Sequence, residues 1–186
     1  ETVETLNAIA AVVLNVSADH MDRYPNITRY AAIKEKIYQG TGYTVINYDD
    51  SLVKGMQRNG RNIIGYSLNV PNTDKFGLTV SGATEWLSHG NQLLLPVTEL
   101  QIKGRHNYSN ALAALSLGHA IGLPINNCIA ALKKFPGLEH RFKQFKTIKG
   151  VDWINDSKAT NPDASCAAIE GLSADNNLIL IAGGEG

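Results

Sequence analysis

Cysteine is nearly absent: Cys128 and Cys166 stand alone, with no CxxC or metal-ligand spacing. A disulfide scaffold and a thiolate metal knuckle are therefore excluded, and two lone cysteines read most simply as reduced thiols in cytosol. Net charge is absent as well, with 17 basic against 17 acidic residues. No overall field draws the chain to nucleic acid or to an anionic membrane. Apolar runs such as Ile9–Leu14 and Leu178–Ala182 fall far short of a membrane span. No basic n-region or secretory h-region stands at the start of the residues given, and no GxxxxGK[ST] phosphate loop occurs anywhere in the 186 residues.

What remains is a cytoplasmic α/β protein with 44% hydrophobic residues, enough to bury a core. The chain opens at Glu1 in a segment that already reads as structured, and it stops after a strand-like run and Gly183–Gly186. It is expected to be a piece of a longer protein.

The apolar run Ala8–Val16 predicts a buried strand, followed by a polar, Pro-ended loop, Ser17–Pro25. A helix follows from about Thr28, capped by Asn26 or Thr28, with Tyr30, Ile33, Ile37 and Tyr38 on one face. Tyr43–Tyr48 reads as a second strand. Between Arg61 and Lys103 short alternating stretches, with a turn at His89-Gly90-Asn91, predict a small, mostly antiparallel patch. A helix starts at Asn107 or Ser109 and runs to about Ile121, and another spans Asn126–Lys134. A domain boundary is expected at Pro136-Gly137, dividing 1–137 from 138–186. Beyond it, Val151–Ile154, a helix from Pro162 to Glu170 and Leu178–Ala182 read as a parallel βαβ unit. Its carboxyl edge would hold Asn155–Asn161 and Gly183–Gly186.

Several residues could carry chemistry. Lys34 shares the predicted apolar helix face. The ordinary reading is a stem that packs while the ammonium reaches solvent. The functional one is a buried amine able to take up carbon dioxide as a carbamate, turning a cation into a metal-binding carboxylate. His20, between Asp19 and Asp22, could help hold a hard cation or simply orient a loop. Asn107 and Asn110 lie where helix caps are expected, yet an amide there also suits a purine edge. The run Asn155-Asp156-Ser157-Lys158-Ala159-Thr160-Asn161 is either a solvated Asx-type turn or a place for a ribose on Asp156 and a phosphate on Lys158. Arg141, after His140, is a surface arginine or a phosphate ligand.

Taken together, these segments resemble one family. Leu14–Tyr24 with the Lys34 helix, Gly104-Arg105-His106-Asn107-Tyr108-Ser109-Asn110, and Gly137–Phe142 followed by NDSKATNPDA resemble the Mur ligases over essentially the whole chain. The resemblance implies an α/β fold: a three-layer, mostly parallel sheet with a small antiparallel patch, then the start of a Rossmann-like C-terminal domain. It implies an ATP-dependent enzyme that phosphorylates a substrate carboxylate, which an amine then attacks. The NDSKATN run points to the branch that adds D-glutamate to UDP-N-acetylmuramoyl-L-alanine in peptidoglycan precursor synthesis. By resemblance, Lys34 is carbamylated and, with His20, holds one of two magnesium ions. Asn107 and Asn110 frame the adenine, Asp156 the ribose, and Arg141 the phosphates. Lys158 and Thr160 line the phosphate and amine side, and Asp19 lends support. A monomer without nucleic-acid or membrane partners is expected. Without the phosphate loop, this polypeptide is expected to be inactive by itself. A sister or folylpolyglutamate-type ligase, a silent binding module and a kinase-like phosphotransferase are the competing readings.

Overall fold

The computed structural model describes residues 5–18, 21–58, 60–72, 74–160, 162–170 and 177–183. Its body is a six-stranded sheet whose spatial order, β1 to β6, repeats the chain order. Strands β1 (Ala10–Val13), β2 (Tyr43–Asn47) and β3 (Ile63–Tyr66) run parallel. β4 (Lys75–Ser81) continues parallel through only Gly65↔Lys75 and Tyr66↔Phe76, and β5 (Thr84–His89) and β6 (Gln92–Pro96) then close an antiparallel meander. The alternating stretches of the sequence thus form the meander as expected. β3 belongs instead to the parallel half.

Alternation along β2 divides the core: Val45 faces one layer and Ile46 the other. On the Val45 side, α3 (Arg105–Ala120) and α4 (Ile125–Lys134) cover Tyr66, Phe76, Leu87 and Leu95 with Leu112, Leu115 and Leu132. On the Ile46 side lie α1 (Ile27–Glu35), a 3-10 turn at Lys36–Tyr38, and α2 (Ser51–Lys54), burying Ala31, Tyr38 and Val53. Burying such a Leu or Phe contributes on the order of 2 kcal/mol, so this three-layer packing is the main source of stability. Asn26 caps α1 by accepting the Arg29 N–H at 2.9 Å, one of the two caps anticipated.

The later residues differ from the expected parallel βαβ unit. Val151–Asn155 (β8) pairs antiparallel with a strand not anticipated, Lys143–Ile148 (β7), before α5 (Pro162–Glu170). The hairpin is local, closed by Lys149 and Gly150 at φ 51° and 78°, the two positive φ values that a tight hairpin turn requires. Leu178–Ala182 joins no ladder among the described residues. The turn anticipated at Gly183–Gly186 lies, apart from Gly183, outside them. No described helix is long and apolar enough to cross a membrane.

Candidate functional site

Because β1, β2 and β3 are parallel, their carboxyl ends share one edge, where open α/β sheets bind ligands. Two carboxylates tie that edge together. Asp50 accepts the Val16 N–H at 2.8 Å and the Val53 N–H at 2.9 Å, joining the loop after β1 to the start of α2. Asp49 accepts from the Ser67 hydroxyl at 2.6 Å, the Leu68 N–H at 2.6 Å and the Asn69 amide at 3.1 Å. Both acids therefore shape loops. Tyr66, at the end of β3, donates to the Leu14 carbonyl at 3.5 Å and meets the Ser109 hydroxyl on α3; burial pushes its pKa up.

The start of α3 is fixed at the same edge. Gly104 caps it at φ 94°, a conformation that strains any side chain with a Cβ. The Arg105 guanidinium donates to the Leu68 carbonyl at 3.4 Å and pairs with Glu85 at 3.2 Å. Asn107 turns its amide back onto the Lys103 carbonyl at 2.8 Å, so half of its capacity serves the helix end. Asn110, three residues on, is exposed.

A second group approaches α3 from the 137–160 segment. The Phe142 N–H donates to the Asp156 carboxylate at 2.9 Å, the Lys158 N–H to the His140 carbonyl at 3.0 Å, and Asn155 meets the His140 ring at 3.1 Å. The Ala159 N–H donates to the Asp156 carbonyl at 2.9 Å and the Thr160 N–H to the Lys158 carbonyl at 3.0 Å, so 156–160 is a tight turn. Arg141, Lys158 and Thr160 all present exposed side chains. His106 meets this group, its ring edge-to-face with Phe142 at 5.4 Å and 88°. Such a pair contributes about 1 kcal/mol beyond burial. Nδ1 of His106 is shut off from water with no partner in the structure, a condition that costs about 1–3 kcal/mol. Burial lowers the His106 pKa, with Asp156 opposing.

The three motifs read from the sequence around Asn107, Arg141 and Asp156 are thus brought together. Lys34 is not part of that group. It lies half-buried in the last turn of α1, its ammonium 4.7 Å from the Tyr30 ring centroid. Tyr30 in turn meets Tyr24 at 5.0 Å, so Lys34 leans back toward the loop after β1. The predicted face of this helix is borne out at Tyr38 and corrected at Ile37 and Ala31. Ala31 and Tyr38 enter the core, while Ile37 is exposed. The 3-10 turn rotates Tyr38 inward, where its hydroxyl accepts the Val13 N–H at 2.7 Å and donates to the Val45 carbonyl at 2.8 Å; burial raises its pKa to about 12. Asp19 and His20 lie outside the described residues. Among the described residues no three His, Cys, Asp or Glu side chains gather to hold a metal. The polar set on α3 and the 140–160 segment fits a nucleotide, with an exposed amide, a carboxylate and three exposed cationic or hydroxyl groups. The described residues do not by themselves form a magnesium site.

Sequence reasoning did not single out His106 or Phe142. His106 stood inside the Gly104–Asn110 motif, but its contact joins positions 36 residues apart, which no local spacing reveals.

Comparison with known proteins finds relatives along the whole chain. The UDP-N-acetylmuramoylalanine–D-glutamate ligase of Nitrosococcus oceani is 48% identical over the whole chain, and that of Pseudomonas fluorescens strain Pf0-1 is 46% identical. The chain spans 41% and 42% of those relatives' lengths. Among solved structures, MurF from Acinetobacter baumannii superposes with TM-score 0.72 at 18% identity, over 90% of this chain and 38% of that one. MurC from Thermotoga maritima gives 0.66 at 24% identity, over 88% and 37%. Both establish a shared fold. With the Mur ligase middle domain matched over residues 1–118, the chain belongs to the Mur ligase family.

Proposed function

We propose that the full-length protein is an ATP- and magnesium-dependent amide ligase that joins D-glutamate to UDP-N-acetylmuramoyl-L-alanine in the cytoplasm, as a monomer. The observation that carries this reading is the 48% identity to a ligase of that name along the entire chain. The meeting of the Asn107, Arg141 and Asp156 segments at the start of α3 supports it. In this reading residues 1–137 complete a central ATP-binding domain and 138–186 begin the next.

Asn110 and the free part of Asn107 face the base, Asp156 the ribose, and Arg141 the phosphates. Lys158 and Thr160 lie on the phosphate and amine side. The γ-phosphoryl group passes to the substrate carboxylate, releasing ADP. The D-glutamate amine then displaces phosphate and loses a proton as the amide forms. Positioning and charge neutralisation supply most of such catalysis. Magnesium would supply charge neutralisation at the phosphates, held by His20 and by Lys34 as a carbamate. Lys34 lies against Tyr30, which in turn meets Tyr24 of the loop after β1.

The test is formation of the D-glutamate-extended nucleotide by the full-length enzyme, with Lys34→Ala compared in the presence and absence of bicarbonate. The expected result is strict dependence on D-glutamate and a loss of about 10²–10³-fold in kcat for the variant, typical of removing one electrostatic group. Extension with another amino acid would overturn the substrate assignment, and full activity in Lys34→Ala would overturn the role of that lysine. The 186-residue chain alone, which carries no GxxxxGK[ST] motif, is expected to show no turnover.

A further inference from the structure

His106 is a side chain by which α3 meets the 140–158 segment, at Phe142, and its chemistry is unusual for that duty. One ring nitrogen is buried without a partner, although a polar atom in such a place normally finds one. The ring makes an edge-to-face contact with Phe142, whose backbone sits in the left-handed region at φ 47°. That backbone is held by Asp156, and the neighbouring His140 by Asn155 and Lys158. These bonds tie the backbone on either side of Arg141 to the Asn155–Lys158 turn in one bracket, and His106 touches it at Phe142. On the other side of His106, one residue away, is Asn107.

We propose that His106 is a positioning residue that sets the bracket bearing Arg141 and Asp156 against the helix start bearing Asn107 and Asn110, so that one nucleoside triphosphate is met by both. The proposal rests on the nucleotide reading of this site. The contact acts through ring packing, not through a hydrogen bond. Burial keeps the ring neutral near pH 7, although Asp156 stands close by. An aromatic replacement should therefore serve and a truncation should not.

The experiment uses the full-length ligase, with the ATP KM, kcat and equilibrium ATP affinity measured for His106→Ala, His106→Phe, Phe142→Leu and the double variant His106→Ala/Phe142→Leu. The expected result for His106→Ala is a rise in ATP KM and Kd of about tenfold, larger than the fall in kcat; that factor corresponds to about 1.4 kcal/mol. His106→Phe restores both to within about threefold, and the double variant is no worse than the worse single one, because both remove one contact. A purely structural role would lower kcat and thermal stability and leave KM where it was. Unchanged KM in His106→Ala, failure of His106→Phe to restore it, or additive effects in the double variant would each overturn the proposal. If the wild-type enzyme binds no ATP, the nucleotide reading falls and takes this proposal with it; binding by the wild type with unaffected variants overturns this proposal alone.

Discussion

The sheet body and the β7–β8 hairpin are built from similar apolar residues with opposite fates. Tyr66, Phe76, Leu87 and Leu95 are fully buried between the sheet and α3. In the hairpin, Phe145 is 61% exposed, Val151 55% and Trp153 41%. What holds the hairpin is polar: its ladder, the Lys149-Gly150 turn, and a cluster in which Asp152 accepts from Thr147 at 2.7 Å and Gln144 at 2.8 Å. A two-stranded hairpin with so little burial is marginal by itself. The candidate site therefore has a stiff half, on α3, and a soft half, in the bracket that leads into and out of the hairpin.

The largest effect should come from the stiff half. Phe76→Ala removes a fully buried ring that stacks on His89 at 4.3 Å and should cost about 3–5 kcal/mol, read as a lowered urea midpoint. A loss below about 1 kcal/mol would mean that the body is not held by its core. A smaller effect should follow pH through the same cluster. Burial first, and then His119 at 5.0 Å, lower the His89 pKa below 6.5, while Asp74 opposes. The folded protein thus binds this proton less readily than the unfolded chain. The stability that His89 contributes is present above about pH 6.5 and drains away as pH falls through the folded value. The urea midpoint should drop on acidification, and His89→Gln should reduce that drop; identical profiles would remove His89 from the account. The smallest effect belongs to the hairpin. Phe145→Ala should change stability by no more than about 0.5 kcal/mol, and a loss several times larger would erase the contrast between the halves.

Much of the body was legible because its signals are local. The apolar run at 8–16 marked β1, Asn26 marked a cap, and the alternation around Phe76, Leu78 and Val80 marked the meander. α3 begins at Arg105, two residues before the earlier of the two expected starts, because Gly104 at positive φ serves as its cap. β7 was missed because Lys143–Ile148 is polar and exposed, lacking the pattern that marks a half-buried strand, although Lys149-Gly150 already carried the turn. On the Lys34 face Tyr38 is buried as read, but Ile37 is exposed and Ala31 enters the core, where the helix gives way to a 3-10 turn at Lys36. The candidate motifs stand in the sequence as short local runs, but their meeting at His106 could not be read there, since tertiary contact decides it.

The match between strand order and chain order has a consequence for assembly. Each strand of the body pairs with the strand just before it, so no pairing waits for a distant segment to be found. During synthesis from the N-terminus the sheet can lengthen at one open edge as the chain emerges. Until α3 arrives, the apolar layer around Tyr66, Phe76 and Leu87 lacks its cover. The most aggregation-prone interval in the life of this molecule is therefore the short one between completion of β6 and docking of α3.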